Sequence, residues 1–436
     1  MVYRWKRWGQ YWRTVIGGGV AIALMAGCGQ LTSEGNVNTS DGAGSSQEVE
    51  FWTMQLQPDF TDYFNELISD FESENPGTTV RWVDVPWGDM QSKILTSVSA
   101  GTAPDVVNLN PDFASQLASR NAWLLLDERV SGADQQVYLP KIWQANTLNG
   151  ASFGLPWYLT TSVTIYNQEL LDQAQVESPP KTFAELARVA QKVKDTTGKY
   201  AFFITFVADD AADVLQSLVK MGVTLVDEDG KAAFNTPMGK AAFQYWVDLY
   251  QNELIPRDVL TQGHRRGVEL YQAGEIAMVS SSPHFLDAIA KNAPSIAEVS
   301  ATSPQITGQT GAMNVAAMNV VIPQSTDVPD AALEFALYVT NDANQLSFAK
   351  AANVLPSTQA ALTDSYFTAA LENASPGDKA RLVSAGQMDQ AEVLVPAMKD
   401  VKRLQKIIYE NLQAAMLDQK SVDDALTDAE QAWNER

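Results

Sequence analysis

Between residues 48 and 109 the apolar pattern switches repeatedly between strand and helix periods, and that alternation narrows the possible folds sharply. Residues 48–52 read as a short strand. Over 58–74, Phe60, Tyr63, Phe64, Leu67, Ile68 and Phe71 recur at three- and four-residue spacing, which makes one apolar helix face. Asn75, Pro76 and Gly77 stop that helix. A strand at 78–85, a helix at 89–99 with Met90, Ile94, Leu95 and Val98 inward, a turn at 101–104 and a strand at 105–109 complete the unit. The order βαβαβ implies a parallel sheet with helices on its faces. Ligands of such sheets sit beyond the carboxyl ends of the strands. The loops there, 53–58 and 108–113, offer Trp52, Gln55, Gln57, Asn110 and Asp112. Asp112 is equally placed to cap the helix expected at 113–119.

At 436 residues the chain exceeds what one core usually supports, so two domains are expected. The junction falls at 152–167. Gly154 and Pro156 punctuate it, Trp157 and Tyr158 follow, and Thr160, Thr161, Val163, Thr164 and Ile165 read as extended chain. It is a strand that leaves one lobe for another, with aromatic faces at the crossing. The alternative is an ordinary buried strand with Trp157 in a core.

A second αβ pattern follows. Thr182 caps a helix at 183–195, 198–206 is an apolar strand, and 213–221 is helical. Thr236 and Pro237 pair a cap with proline at the first helical position. A helix at 265–272 precedes a strand at 275–280. Ser282 and Pro283 again read as a helix start, whose free N–H groups would hold a ligand's hydroxyl or anionic groups, flanked by His284 and Phe285. His284 reads equally as a first-turn residue without a partner. A loop and strand occupy 307–323, helices 331–340 and 344–352, an extended break 353–358, and 359–433 is helical in pattern.

Residues 1–27 stand apart from the fold. Arg4, Lys6, Arg7 and Arg13 form a basic start, and the apolar stretch 15–26 is too short to span a bilayer comfortably. Leu24-Met25-Ala26-Gly27-Cys28 resembles a bacterial lipobox, with Met25 where leucine is usual. The alternative is a plain secretory signal with a chance cysteine, but Cys28 is the only cysteine of the chain. Residues 29–47, rich in Gly, Ser, Asn and Thr, read as a flexible tether reaching about 25 Å. One cysteine permits no intramolecular disulfide and no cysteine zinc cluster. A net charge of −22 argues against nucleic acid as a partner. No phosphate-cradling loop, HExxH or GxSxG follows the export segment, and the acidic pairs Asp209-Asp210 and Asp423-Asp424 read as solvated. Two distant carboxylates, as in a glycosidase, stay open at this level.

The motifs, in order, carry a resemblance. They are Phe-Glu-Ser-Glu-Asn-Pro-Gly (71–77), Ala-Gly-Thr-Ala-Pro-Asp-Val-Val (100–107), Gly-Leu-Pro-Trp-Tyr through Ile-Tyr-Asn (154–167), Gly-Lys-Tyr (198–200), Phe-Asn-Thr-Pro (234–237), Gly-Glu-Ile-Ala-Met (274–278) and Ala-Asn-Val-Leu-Pro-Ser-Thr (352–358). Together they resemble the extracellular solute-binding proteins of ABC importers, the cluster that includes maltose-binding protein.

The resemblance implies an α/β fold of periplasmic-binding-protein type, two lobes joined by a multi-strand hinge with a ligand cleft between them. It implies crossings near 157–163, 303–308 and 355–358. The lobes would be 48–158 with 308–355, and 159–307 with 356–436, after a signal peptide at 1–27 and a tether at 28–47. His284 departs from the aromatic that family members commonly carry there, and Phe285 is expected to stack instead. The ligand is expected to be a sugar or sugar-like polyol. Trp52, Trp157, Tyr158 and Phe206 would stack on its C–H faces, and Gln57, Asp112, Thr160, Ser282 and Asn314 would take its hydroxyls. No enzyme activity, cofactor or metal is expected. The implied partners are the membrane subunits of a permease and, through a lipid on Cys28, a bacterial membrane; a periplasmic or extracytoplasmic location and a monomer are expected. The rival readings are a sensory lipoprotein of the same fold and a binder of glycerophosphodiesters or phosphate esters, for which Arg381 is the one candidate cation.

Overall fold

The computed structural model describes residues 46–369, 374–395, 397–398 and 400–435. The expected signal peptide, Cys28 and nearly all of the tether lie outside the described residues. The βαβαβ unit forms as β1 (Gln47–Met54), helix Thr61–Glu74, β2 (Thr78–Val85), helix Trp87–Ala100 and β3 (Val106–Leu109). β1 pairs in parallel with both β2 and β3. The first helix buries Phe64, Leu67 and Phe71, the apolar stripe of the sequence. Gly101 closes the second helix in the left-handed region, where a side chain is strained.

A two-residue turn, Asn149-Gly150, closes the small hairpin of β4 (Thr147–Leu148) and β5 (Ala151–Ser152); both turn residues have positive φ, as a right-twisted hairpin requires. β6 (Leu155–Thr161) then enters the first sheet and β7 (Val163–Asn167) the second, so the chain passes between sheets at Ser162. The second sheet adds β8 (Tyr200–Phe202), β9 (Ile276–Ser281) and β10 (Ser300–Ser303) in the order β10-β7-β9-β8. The chain returns to the first sheet with β11 (Met313–Val321), which runs antiparallel between β3 and β6. β12 (Leu355–Pro356) closes the edge beside β6, and β13 (Ala391–Glu392) pairs with the start of β11.

Each sheet carries its own core. Phe51, Phe64, Phe71, Trp157, Phe335 and Phe348 are buried in the first. Their edge-on and stacked contacts, centroids 4.8–6.1 Å apart, each add about 0.5–1.5 kcal/mol beyond area burial. The second core gathers Phe206, Phe234, Phe243, Trp246 and Tyr271, and also Leu404, Ile408, Tyr409 and Leu412 of helix Val401–Met416. The C-terminal helices thus belong to the second lobe.

Two local expectations need correction. The strand expected at 198–206 ends at Phe202. Beyond it the apolar run bends into the core, where Phe206 N donates to Val259 O at 2.9 Å, outside the sheet ladder. The helix expected from Ser282-Pro283 begins only at Phe285, with no side-chain cap, so Ser282 does not act as its cap. The caps at Thr182 and Thr236 are formed as expected, each accepting from the N–H three residues on.

Candidate functional site

The helix Pro111–Ala118 starts directly after β3, at the carboxyl edge of the first sheet. Asn110 Oδ1 accepts from Phe113 N at 2.8 Å and caps it. Capping therefore falls to Asn110, and Asp112 is left exposed on the first turn. Asp112, Ser115, Gln116 and Ser119 stand at i, i+3, i+4 and i+7 and line one wall of a cleft of about 670 Å³. The facing wall comes from the second lobe: Asp209, Met398, Asp400, Lys402 and Arg403. An ion pair spans the gap, Lys402 Nζ to Asp112 Oδ2 at 3.6 Å, with both side chains more than half exposed. Such an open pair is worth under about 1 kcal/mol, so a ligand's hydroxyls can replace it at little cost. Gln91 Nε2 donates to Gln116 Oε1 at 3.2 Å on the rim. Arg403 is committed elsewhere, donating to Trp433 O at 3.3 Å and Glu435 O at 3.2 Å.

A second, smaller pocket of about 70 Å³ lies at the hinge. Thr160, Ser282 and His284 line it together with Asn353, Arg381 and Ser384. Arg381 is held there by Asp378 Oδ1 at 2.7 Å, by Tyr366 O at 2.9 Å, and by the Tyr366 ring at 3.9 Å. Its charge is already paired and its fork is partly used, which weakens the case for it as a phosphate clamp.

Gln305 ties the crossing segments together. Its Nε2 donates to Thr161 Oγ1 at 2.7 Å and to Asn314 O at 2.8 Å. Its backbone N–H donates to Gln387 Oε1 at 2.8 Å, and Gln387 Nε2 donates to Ser162 O at 3.3 Å. Lys220 Nζ donates to Gln305 Oε1 at 2.8 Å and Ile306 O at 3.2 Å. Burial pushes the Lys220 amine down to about 8, against the pull of Asp213. Gly308 passes so close that a Cβ there would lie 2.0 Å from Lys220 O.

The expected site residues divide. Asp112 reaches the cleft, and Thr160, Ser282 and His284 meet in the hinge pocket. The stacking role expected of Trp157 is corrected: its ring is 0% exposed and lies 4.8 Å from Phe348 in the first core. Tyr158 packs against the same two rings, and burial pushes its hydroxyl up. Phe206 is likewise 0% exposed, 5.8 Å from Trp246 in the second core. Trp52 is buried, with Nε1 donating to Glu50 Oε1 at 2.6 Å and Lys93 Nζ 4.0 Å over its ring. Phe285 packs on the second core beside His264. The Asn314 side chain accepts from Leu394 N at 3.3 Å. Gln57 is exposed and lines neither recess. The aromatic rings expected to stack therefore build cores, and the ring that does line the cleft, among its polar side chains, is Phe113.

Sequence reasoning missed Gln91, Gln116, Asp209 and Lys402, and Arg120, which also lines the cleft. The stripe Asp112-Ser115-Gln116-Ser119 had a signal, a helix polar on one face just after a strand. Asp209 read as solvated, and Lys402 lies nearly three hundred residues beyond Asp112 in the chain.

Two αβ lobes joined by crossing strands, with a cleft of mixed polar and apolar lining between them, define a binding protein of the periplasmic type. The model of the bacterial extracellular solute-binding protein family matches residues 57–346, and the chain belongs to that family. A crystal structure from Synechococcus sp. MITs9220, provisionally named as an oligosaccharide periplasmic-binding protein, is 42% identical with a TM-score of 0.84, over 88% of this chain and 98% of that one. The diacetylchitobiose binding protein DasA of Streptomyces coelicolor is 23% identical over 96% of both chains. A protein of Brucella abortus (strain 2308), provisionally named as a binding protein, is 24% identical over 61% of this chain; the match spans 64% of that protein's length. Among the described residues no helix is long and apolar enough to cross a membrane, and no group of His, Cys, Asp and Glu is placed to hold a metal ion.

Proposed function

We propose that the chain captures a sugar, an oligosaccharide or a sugar-like polyol between its lobes and delivers it, unchanged, to the membrane subunits of an ABC importer. The observation that carries this reading is the cleft of about 670 Å³, walled by amides and a carboxylate of the first lobe, carboxylates and Lys402 of the second, and the ring of Phe113. Asp112 and Gln116 from one side and Asp209 and Asp400 from the other offer acceptors for hydroxyls, and Lys402 offers donors. Ligand bridging both walls favours the closed arrangement, and closure excludes water and strengthens each hydrogen bond. The names of the relatives, one of which refers to an oligosaccharide and another to diacetylchitobiose, support the substrate class. Thr160, Ser282 and His284 in the hinge pocket would take a further part of the ligand. The lobes we assign are 48–158 with 308–355 and 159–307 with 356–436, save that the end of β6 to Thr161 and β13 stay with the first sheet. Processing before Cys28 and its lipidation would hold the folded body near the permease.

A thermal-shift panel of monosaccharides, oligosaccharides, glucosylated polyols and glycerophosphodiesters tests the reading. Ligand bound only by the folded form raises the melting temperature. At least one carbohydrate should raise it, and Asp112→Ala should reduce that rise. A rise with glycerophosphodiesters alone would transfer the function to phosphate-ester capture.

A further inference from the structure

Helix Asp213–Lys220 turns a polar stripe inward. Asp213, Gln216, Ser217 and Lys220 stand at i, i+3, i+4 and i+7 and share one face. That face walls one side of a cavity of about 80 Å³ inside the second lobe. Phe202, Phe203, Trp246 and Met278 supply much of the remaining lining, with polar atoms from Thr164, Ser280 and Gln305 among them. None of these residues lines the interlobe cleft or the hinge pocket. At about 10–15 Å³ per water-sized position the space holds roughly five to eight waters, the displacement of one ring or short branched chain.

The polar groups of that stripe are unevenly used. Ser217 is spent, with Oγ donating to Val214 O at 2.6 Å and accepting from Trp246 Nε1 at 3.0 Å. Lys220, only 7% exposed, places two of its three N–H donors on Gln305 and Ile306. The Asp213 carboxylate accepts no hydrogen bond from the described residues. Burial holds that carboxyl above the usual carboxylate range, against the nearby His264 and Lys220, with Asp210 adding to the rise. A carboxyl and an amine thus face the cavity with hydrogen-bonding capacity left over.

A sugar ring fits this lining badly, because the polar groups of Thr164, Ser217 and Gln305 are already hydrogen-bonded within the protein and a full rim of hydroxyls would find few free partners. A ligand polar at one end and apolar at the other fits it. A single net charge would unbalance the Asp213 and Lys220 pair, whereas a head carrying both signs answers both.

We propose that this cavity is a second small-molecule site, separate from the interlobe cleft, for an amphipathic zwitterion of the free amino acid type. Its ammonium faces Asp213, its carboxylate takes the unspent Lys220 N–H, and its apolar body lies against Phe202, Phe203 and Trp246.

The test is a calorimetric titration of the intact chain with L-leucine and L-phenylalanine, beside their uncharged N-acetyl amides. We expect saturable binding of at least one free amino acid and none of its uncharged counterpart. Asp213→Asn should weaken it by at least about tenfold, the loss of a charge-assisted hydrogen bond. Asp112→Ala, in the cleft, should leave it intact, which separates this site from the carbohydrate reading. Lys220→Met should act like Asp213→Asn. If that variant does not fold, Ser280→Trp at the exposed mouth blocks entry without touching the buried groups. Absence of saturable binding, equal binding of the uncharged amides, or binding lost in Asp112→Ala and kept in Asp213→Asn would each overturn the proposal.

Discussion

Truncating Trp157 separates a core role from a ligand role. The side chain is fully buried, stacked on Phe348 at 4.8 Å with Tyr158 at 5.0 Å and Phe64 at 6.0 Å. About 200 Å² removed from water at about 25 cal/mol/Å² is worth roughly 5 kcal/mol. Part of this is offset. The indole N–H is buried without a partner among the described residues, a penalty of about 1–3 kcal/mol that truncation removes. Trp157→Ala should therefore cost about 3 kcal/mol, near the low end for a buried aromatic truncated to alanine. Trp157→Phe keeps a ring on Phe348 and deletes the stranded donor, so it should cost under about 1.5 kcal/mol. Urea unfolding of the ligand-free chain measures both costs. Carbohydrate titration well below the melting point measures binding apart from stability. Binding by the folded fraction should survive in both variants. If Trp157→Ala abolished binding while its stability stayed within about 1 kcal/mol of the wild type, the ring would reach the ligand and the burial argument would be wrong.

Other consequences are open to direct measurement. Lys220 titrates lower folded than unfolded, about 8 against 10.5, so the unfolded chain binds the extra proton between those values and stability rises with pH there, by up to about 3 kcal/mol. Urea unfolding at pH 7.5 and 9.5 should show about 2 kcal/mol of that gain in the wild type and not in Lys220→Met; equal gains would remove Lys220 as its source. Gly308→Ala drives a Cβ into Lys220 O and should cost about 1–3 kcal/mol by overpacking, while the same change at exposed Gly132, with nothing within 4 Å, should be near neutral. Cys28→Ser should move the protein from the membrane fraction to the soluble fraction of cells, and retention at the membrane would argue against a lipid on that residue.

The regular elements of the first lobe were legible because periodicity reports burial. Phe64, Leu67 and Phe71 could be assigned to one buried face without knowing what covers it. Caps were legible for the same local reason: Thr182 and Thr236 act within four residues. The site was less legible. Trp157 and Phe206 were expected to stack on a ligand, and an aromatic in a strand looks the same in sequence whether it faces a core or a cleft. What decides is the partner, and Phe348 lies almost two hundred residues beyond Trp157. Ser282 was expected to cap a helix, but that helix starts three residues later and the serine opens onto the hinge pocket. Asp112 was found from the topology of a parallel sheet, since the rule about carboxyl ends concerns the fold and needs no knowledge of the opposite wall. The other wall, around Lys402, is brought there only by the docking of the C-terminal helices.

Small-angle scattering of the intact chain, with and without the best carbohydrate of the thermal panel, puts the two-lobed capture mechanism to its plainest trial. A ligand held by both walls should reduce the radius of gyration, should fail to do so in Asp112→Ala, and should be recovered chemically unaltered. A carbohydrate that binds tightly with no contraction, or that is returned cleaved, would contradict it.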